Sequence, residues 1–101
     1  YTLRIHKTPG TVCNAVLSAE MSKYVGEILG QENVCQAPPM KGAEDFAYVS
    51  KCVPSFFGFL GAGGADYYPL HNSRTIIDEN VLPSGAAILA NCAVEWLNSH
   101  K

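Results

Sequence analysis

Apolar side chains recur at helical spacing in the first third of the chain. They stand at i, i+4, i+7, i+8 and i+11, as one stripe of an amphipathic helix does: Leu17, Met21, Tyr24, Val25 and Ile28. Asn14 precedes the stripe, and asparagine is a residue type that caps helix N-termini with its side chain. Gly30 follows it and suits the left-handed conformation that commonly ends a helix. The pattern therefore predicts one helix between Asn14 and Gly30.

Two further helices are predicted downstream. The segment from Glu44 to Lys51 is a short candidate, with Gly42 before it and Pro54 beyond its end. The last helix is expected to start near Leu82-Pro83, because proline is tolerated in the first turn. Its predicted buried stripe is Gly85, Leu89, Cys92, Ala93, Trp96 and Leu97, and its predicted outward residues are Asn91, Glu95 and Asn98.

Three shorter segments have the pattern of strands. Residues 2–6 alternate between polar and apolar side chains, as a half-buried strand does. Residues 33–37 form a second candidate, and residues 55–60 are apolar at nearly every position, which suits a strand covered on both faces. Strands alternating with helices predict an α/β fold with a sheet flanked by helices.

Composition narrows the class of protein. The 101 residues are 48% apolar and 16% charged, with a formal net charge of −2, which is typical of a globular chain and not of a disordered one. Because lysine and arginine never cluster, nucleic-acid and anionic-membrane partners are not expected. The four cysteines match no zinc-finger spacing, and free thiols are favoured, although an even count also permits two disulfides. Tyr1 falls inside a predicted strand, so we expect a piece of a longer polypeptide, or a chain that has lost a leader.

Three segments carry more polar chemistry than a core needs, of which residues 77–80 have the ordinary residue types of a helix start. Glu44 and Asp45 follow Gly42 and could be acid/base groups, metal ligands or substrate contacts, but carboxylates at a helix start more often complement its dipole. His71 lies in a loop after the strand predicted at residues 55–60, where ligands of open α/β sheets bind. Neutral imidazole is a common zinc ligand. A single loop histidine is nevertheless more often an ordinary surface residue, so the pattern leaves both interpretations open.

A series of short motifs runs through the second half of the chain. In order they are Gly42-Ala-Glu-Asp-Phe-Ala47, Val53-Pro54, Phe57-Gly-Phe-Leu-Gly61, Pro69-Leu-His71, Asp78-Glu79 and Leu82-Pro-Ser-Gly-Ala-Ala87. The ordered series resembles the C-terminal part of the aminoacylase/hippurate-hydrolase family of zinc metallopeptidase-type amidohydrolases, from about Val12 to Leu97. This family includes N-acyl-amino-acid and indoleacetyl-amino-acid hydrolases.

The resemblance implies a domain organisation. Members of this family have a metal-dependent α/β catalytic domain that is split in sequence by a smaller lid domain, through which many of them dimerise. Residues 1–7 would be the final strand of the lid, residues 8–14 the hinge, and residues 15–101 the C-terminal segment of the catalytic domain. A homodimer formed through the lid is a corresponding expectation.

The resemblance also implies a site. Hydrolysis of the amide bond of an N-acyl amino acid or short peptide would use two divalent metal ions, usually zinc, with manganese or cobalt possible. His71 stands where the family has a metal ligand, and Gly42, Ala43 and Glu44 stand beside the substrate. The general base and most metal ligands come from earlier sequence in the family, so no catalytic residue is assigned to these residues and the isolated chain is expected to be inactive.

Two expectations remain open. Lys41 replaces a methionine common in relatives and leaves the substrate preference open. The alternative function is a non-catalytic α/β binding or interaction module that keeps the family scaffold. With no leader visible, a cytoplasmic location is the default expectation.

Overall fold

Three α-helices form the regular structure of the chain. The computed structural model describes residues 1–101 and contains α1 (Ala15–Leu29), α2 (Phe46–Cys52) and α3 (Leu82–Ser99). Two 3₁₀ turns, Gln31–Asn33 and Glu79–Val81, follow α1 and precede α3. All three predicted helices are therefore confirmed, with their ends within two residues of the predicted ones.

The predicted α/β fold is wrong. The structure has no strand and no sheet, so the segments 2–6, 33–37 and 55–60 are not paired. No backbone hydrogen bond involves residues 2–6 or residues 56–60. Extended segments become a sheet only when neighbouring strands satisfy their backbone N–H and C=O groups. The alternating and apolar patterns are present, but the chain supplies no such partner for them.

The segment at 33–37 has a more local reason to differ. Asn33 belongs to the 3₁₀ turn, and its side-chain amide donates to the Leu29 carbonyl at 2.7 Å. This bond satisfies one of the free carbonyls at the end of α1. The residue that would begin a strand therefore serves to end the preceding helix.

The ends of α1 are fixed as the sequence predicts. The Asn14 side-chain oxygen accepts from the Leu17 N–H at 2.9 Å. Gly30 has φ +83°, a conformation that residues with a side chain rarely adopt, and its N–H donates to the Gly26 carbonyl. Cap chemistry is local in sequence, which explains why it predicts these boundaries well.

Helices α1 and α3 pack against each other and form the main tertiary contact of the chain. The amide nitrogen Nδ2 of Asn91 donates to the Tyr24 carbonyl at 3.0 Å and to Oε2 of Glu27 at 2.9 Å. Near the end of α3, the Tyr24 hydroxyl donates to Glu20 and lies 3.1 Å from the Ser99 hydroxyl. The contact between the helices thus includes several side-chain hydrogen bonds.

The predicted orientation of α3 is only partly correct. Asn91 and Glu95, predicted to face solvent, are half-buried, whereas Leu89 and Leu97, predicted to be buried, are exposed. The half-buried side of α3 comprises Ser84, Gly85, Ile88, Asn91, Cys92 and Glu95. Asn91 can occupy this side because its donor group is satisfied by α1. Hydrophobicity alone does not reveal such a partner.

Gly85 gives α3 its close approach to the segment before it. A Cβ atom at this position would lie 3.0 Å from Cδ2 of Leu60, closer than most real side-chain contacts. The absence of a side chain at Gly85 therefore permits this close packing. Residues 55–60, although not a strand, do contact the helix that follows them.

The short helix α2 is attached through flanking segments and not through the long helices. The Asn14 N–H donates to the Ser55 carbonyl at 2.8 Å, which joins the start of α1 to the chain beyond α2. The rings of Phe46 and Phe57 are 5.3 Å apart, and the Phe57 and Phe59 rings meet edge to face at 5.2 Å. These contacts place α2 beside the residue 53–59 segment.

Little of the chain is buried. Only Met21, Gly26, Ala47 and Ser55 are buried, and Leu89 keeps 76% of its surface exposed. The radius of gyration is 16.3 Å, against about 13 Å for a compact domain of this length. No helix combines the length and the apolar character needed to cross a membrane.

All four cysteines are free thiols. Cys13, Cys35 and Cys52 are exposed, whereas Cys92 lies half-buried on the α1 side of α3. Burial, helped by the negative charge of Glu27, raises the pKa of the Cys92 thiol. A raised pKa leaves less thiolate at neutral pH, which lowers the reactivity of the Cys92 thiol.

The packing of α1 on α3 predicts a specific effect of Asn91. Asn91→Ala should lower the free energy of unfolding by about 1–2 kcal/mol, because it removes two side-chain hydrogen bonds, one to a charged acceptor. Asn98→Ala on the exposed side of α3 is the matched control and should change it by less than about 0.5 kcal/mol. Urea unfolding followed by circular dichroism measures both. Equal effects would contradict the assigned role of Asn91.

Candidate functional site

The residues around His71 form a compact turn, called here the His71 turn (residues 67–75). Its backbone is held internally: the Thr75 N–H donates to the Asn72 carbonyl at 3.0 Å, and the Asn72 N–H donates to the Thr75 hydroxyl at 3.2 Å. The Thr75 hydroxyl in turn donates to the Pro69 carbonyl. These bonds join Pro69 and Asn72 to Thr75, so this part of the turn is held by its own residues and not by a helix.

His71 itself adopts an unusual backbone conformation. Its φ is +68°, and it is the only residue other than glycine with a positive φ. This left-handed region costs an L-residue roughly 1–2 kcal/mol. Such conformations persist where the surrounding structure enforces them, and they cluster at functional sites. The imidazole is exposed, so it is accessible to a ligand.

An aromatic–cation pair lies in the same turn. The guanidinium carbon of Arg74 sits 4.5 Å from the centre of the Tyr68 ring, within the range of a cation–π interaction. The Arg74 N–H donates to the Asn72 side-chain oxygen at 2.9 Å. No sequence pattern points to Arg74 as a functional residue. The only available signal was Asn72, a residue type whose side chain accepts from the backbone two positions later.

The candidate substrate residues lie in a separate loop before α2. Oε1 of Glu44 accepts from the Phe46 N–H at 3.1 Å, so this carboxylate caps the start of the short helix. Asp45 makes no side-chain cap. A Cβ atom at Gly42 would meet nothing within 4 Å, so the space beside Gly42 is open. The structural role proposed for carboxylates here is therefore present at Glu44.

The two candidate segments are not joined to each other. No hydrogen bond or ion pair connects residues 41–46 with the His71 turn. No group of three or more His, Cys, Asp or Glu side chains in the chain is placed to hold a metal ion. A catalytic zinc site needs about three protein ligands. Residues 1–101 therefore do not supply a complete set of ligands around His71.

A second histidine lies beside a carboxylate at the end of α3. Nδ1 of His100 lies 3.7 Å from Oε1 of Glu20, and the His100 ring stacks on Trp96 at 4.5 Å. The Ser99 hydroxyl lowers the pKa of neighbouring Tyr24, but the hydrogen bond and charge of Glu20, with some burial, raise it by more. This cluster fastens the end of α3 to α1, and none of its groups lies in the His71 turn.

The backbone at His71 can be tested by substitution. His71→Gly should be more stable than His71→Ala by about 1 kcal/mol, because glycine adopts a positive φ without steric cost. Ser73, in the same turn but without a positive φ, is the matched control, and Ser73→Gly should be less stable than Ser73→Ala. Urea unfolding of the four variants measures both differences. The same order at both positions would contradict a left-handed His71.

Comparison with known proteins identifies the family. The sequence model of peptidase family M20/M25/M40 matches residues 1–95. The chain is 41% identical over 91 residues to IAA-amino acid hydrolase ILR1-like 2 of Arabidopsis thaliana, an alignment that covers 88% of this chain and 21% of the relative. It is 34% identical over 93 residues to thermostable carboxypeptidase 1 of Saccharolobus solfataricus, covering 89% and 23%.

A third relative is a deacetylase. The chain is 39% identical over 70 residues to N-acetyldiaminopimelate deacetylase of Streptococcus suis, covering 69% of this chain and 18% of the relative. The chain therefore spans about a fifth of the length of the curated relatives it matches. All three names describe hydrolases, and the family predicted from the ordered motifs is confirmed. The chain belongs to peptidase family M20/M25/M40.

Proposed function

We propose that the chain forms the His71-bearing part of a metal-dependent amidohydrolase that cleaves the amide bond of N-acyl amino acids. The observation that carries the proposal is the His71 turn, which presents an exposed imidazole on an enforced left-handed backbone. Family membership supports it, since the relatives are named as hydrolases of amino-acid conjugates, peptides and N-acetyl groups. Their names differ in acyl group and amino acid, so the proposal extends only to the shared amide bond.

In this proposal one imidazole nitrogen of His71 would coordinate a divalent metal ion. That ion would be zinc in a two-metal centre. Such a metal, when bound, supplies the Lewis acidity that activates a water and polarises the scissile carbonyl. The remaining ligands and the general base are assigned to sequence outside residues 1–101, because the chain brings no second and third ligand to His71. The internal hydrogen bonds of the turn hold the backbone next to His71 in place.

Gly42, Ala43 and Glu44 are proposed to lie on the substrate side of the same site. The open space at Gly42 leaves room for a ligand to approach the backbone. One oxygen of Glu44 is used to cap α2, so its part is to fix the shape of this loop while the second oxygen remains available. These residues would position the substrate and would not transfer protons.

The exposed apolar surface favours a role as one part of a larger protein. Leu89 and Leu97 on α3, Val16 on α1 and Phe59 before the Gly61 loop are all more than half exposed. A stable chain seldom leaves so many large apolar side chains in water unless they meet another protein surface. A working site would therefore form where these faces and the His71 turn meet the rest of the enzyme. Dimerisation through a lid remains a prediction.

The metal role of His71 is tested in the full native polypeptide. His71→Asn removes the imidazole, while asparagine tolerates the left-handed backbone. We expect metal content to fall by about one ion per site. Turnover of an N-acetyl amino acid should fall at least about a hundredfold, because losing a residue that only supports a metal ligand already costs about 10–100-fold. Metal content is measured by plasma mass spectrometry and turnover by amine release.

His6→Asn provides the matched control, because His6 is exposed and lies outside the turn. It should leave both quantities unchanged. Residues 1–101 alone should show no hydrolysis at any metal concentration. Unchanged metal content in His71→Asn, or hydrolysis by the isolated chain, would contradict the proposal and favour a binding module.

A further inference from the structure

We propose that Cys13 and Cys52 form a redox-sensitive thiol pair, which a small disulfide such as glutathione disulfide converts into an intramolecular disulfide bond. The two residues are far apart in sequence, but both line one open groove, formed by residues 12–15 and 50–55. Both are free thiols with exposed side chains, so a small oxidant can reach them. The bond would fix the start of α1 to the end of α2.

Hydrogen bonds on both sides of Cys13 hold this groove together. The Val12 N–H donates to the Ser50 hydroxyl at 3.4 Å, and the Asn14 N–H donates to the Ser55 carbonyl at 2.8 Å. The second cysteine lies between these two acceptor residues in sequence. The same two contacts therefore bracket both thiols.

The acceptor side of the groove is itself well anchored. Ser55 is one of the few buried residues, and the Ser50 hydroxyl donates to the carbonyl of the fully buried Ala47 at 3.0 Å. A further bond, from the Tyr48 hydroxyl to the Lys7 carbonyl at 3.4 Å, holds the chain before the groove on α2. Because these segments already lie together, little chain entropy is left to lose when the sulfurs join.

The backbone spacing suits a disulfide. Chain segments joined by N–H···O=C bonds run about 5 Å apart, and a disulfide needs Cα atoms about 4.4–6.8 Å apart. Cys13 directly precedes the residue that caps α1, and Cys52 is the last residue of α2. Both cysteines thus lie at helix ends, where a small backbone adjustment breaks no bond in the middle of a helix.

The reaction is thiol–disulfide exchange in two steps. One cysteine thiolate attacks a sulfur of glutathione disulfide, which forms a mixed disulfide and releases one glutathione. The second cysteine thiolate then attacks the protein sulfur of the mixed disulfide and releases the second glutathione. The two protein thiols lose two electrons and two protons, and the glutathione disulfide is reduced to two thiols. Exposed disulfides are also readily reduced again, so the bond would be reversible.

The other two cysteines do not share these features. Cys92 is half-buried on α3. Cys35 is as exposed as the proposed pair, but its neighbour Val34 donates only within its own turn, to the Gln31 carbonyl. Cys35 therefore serves as the reference for an exposed single thiol.

The experiment equilibrates the full native polypeptide in a glutathione buffer with a low ratio of disulfide to thiol. Free thiols are then blocked with N-ethylmaleimide, and the protein is digested with trypsin and analysed by mass spectrometry. Each of the four cysteines falls on a different tryptic peptide, because trypsin cuts after Lys7, Lys23, Lys41, Lys51 and Arg74.

Peptides 8–23 and 52–74 should appear joined, with a mass two hydrogen atoms below their sum. The joined fraction should exceed the glutathione-bound fraction of Cys35 at least about tenfold, because the second step is intramolecular and has a high effective concentration. Dithiothreitol should release both peptides. On a non-reducing gel the oxidised protein should keep the size of a monomer.

Serine variants test the pair directly. Cys13→Ser and Cys52→Ser should each abolish the joined peptide and leave the remaining cysteine of the pair bound to glutathione. The matched control, Cys35→Ser, should leave the joined peptide at the wild-type amount. Absence of the joined peptide in the wild type, a link from either thiol mainly to another cysteine, or a disulfide-linked dimer would overturn the proposal. Failure of both thiols to react with N-ethylmaleimide in the reduced native polypeptide would overturn it as well.

Oxidation should also stabilise the protein, because the bond closes the loop of residues 13–52 and restricts the unfolded chain. The wild type should unfold at a higher urea concentration in its oxidised form than in its reduced form. Cys13→Ser should unfold at the same concentration in both buffers. Equal urea midpoints for the two forms of the wild type would contradict the proposed fixing of α1 to α2.

Discussion

The packing of α3 on α1 through Asn91 is the contact on which the tertiary structure depends. Its side-chain amide reaches both the Tyr24 carbonyl and the Glu27 carboxylate, and so joins residues more than sixty positions apart. The same contact sets which side of α3 faces α1. Leu89 and Leu97 are left in solvent as a consequence, while Cys92 is brought into the interface.

This arrangement explains why the chain has helices but almost no core. Each helix is closed by local chemistry, such as the Asn14 and Gly30 caps of α1 and the proline at the start of α3. A hydrophobic core needs several apolar faces to meet, and here only four residues become buried. The large apolar surface that remains is the physical basis for assigning the chain a role within a larger enzyme.

Sequence patterns predicted the helices and their ends well, but they predicted poorly which segments pair or pack with each other. The caps at Asn14 and Gly30 and the stripe of Met21 located α1, because each signal lies within a few residues of the element it defines. Residues 2–6 and 55–60 show strand patterns, yet strands require partners that no local pattern specifies. The face of α3 was misjudged for a similar reason, since Asn91 is half-buried only because α1 satisfies its amide.

At the candidate site, too, local features could be predicted from the sequence and features of the folded chain could not. The spacing around His71 alone left its role open, because its positive φ and the stacking of Arg74 on Tyr68 are properties of the folded turn. The capping role of Glu44 was foreseeable, because a carboxylate just before a helix commonly binds its free amides.

The central claim is that His71 belongs to a metal site completed by sequence outside these residues. The intact mass of the native polypeptide, with the sequence of whatever flanks residues 1–101, tests this most directly. The account predicts a mass several times the 10.9 kDa of this chain and further ligands upstream, including a Cys-x-His or His-x-Asp pair and a Glu-Glu pair. A native mass near 10.9 kDa would contradict it, because His71 would then have no companions with which to hold a metal.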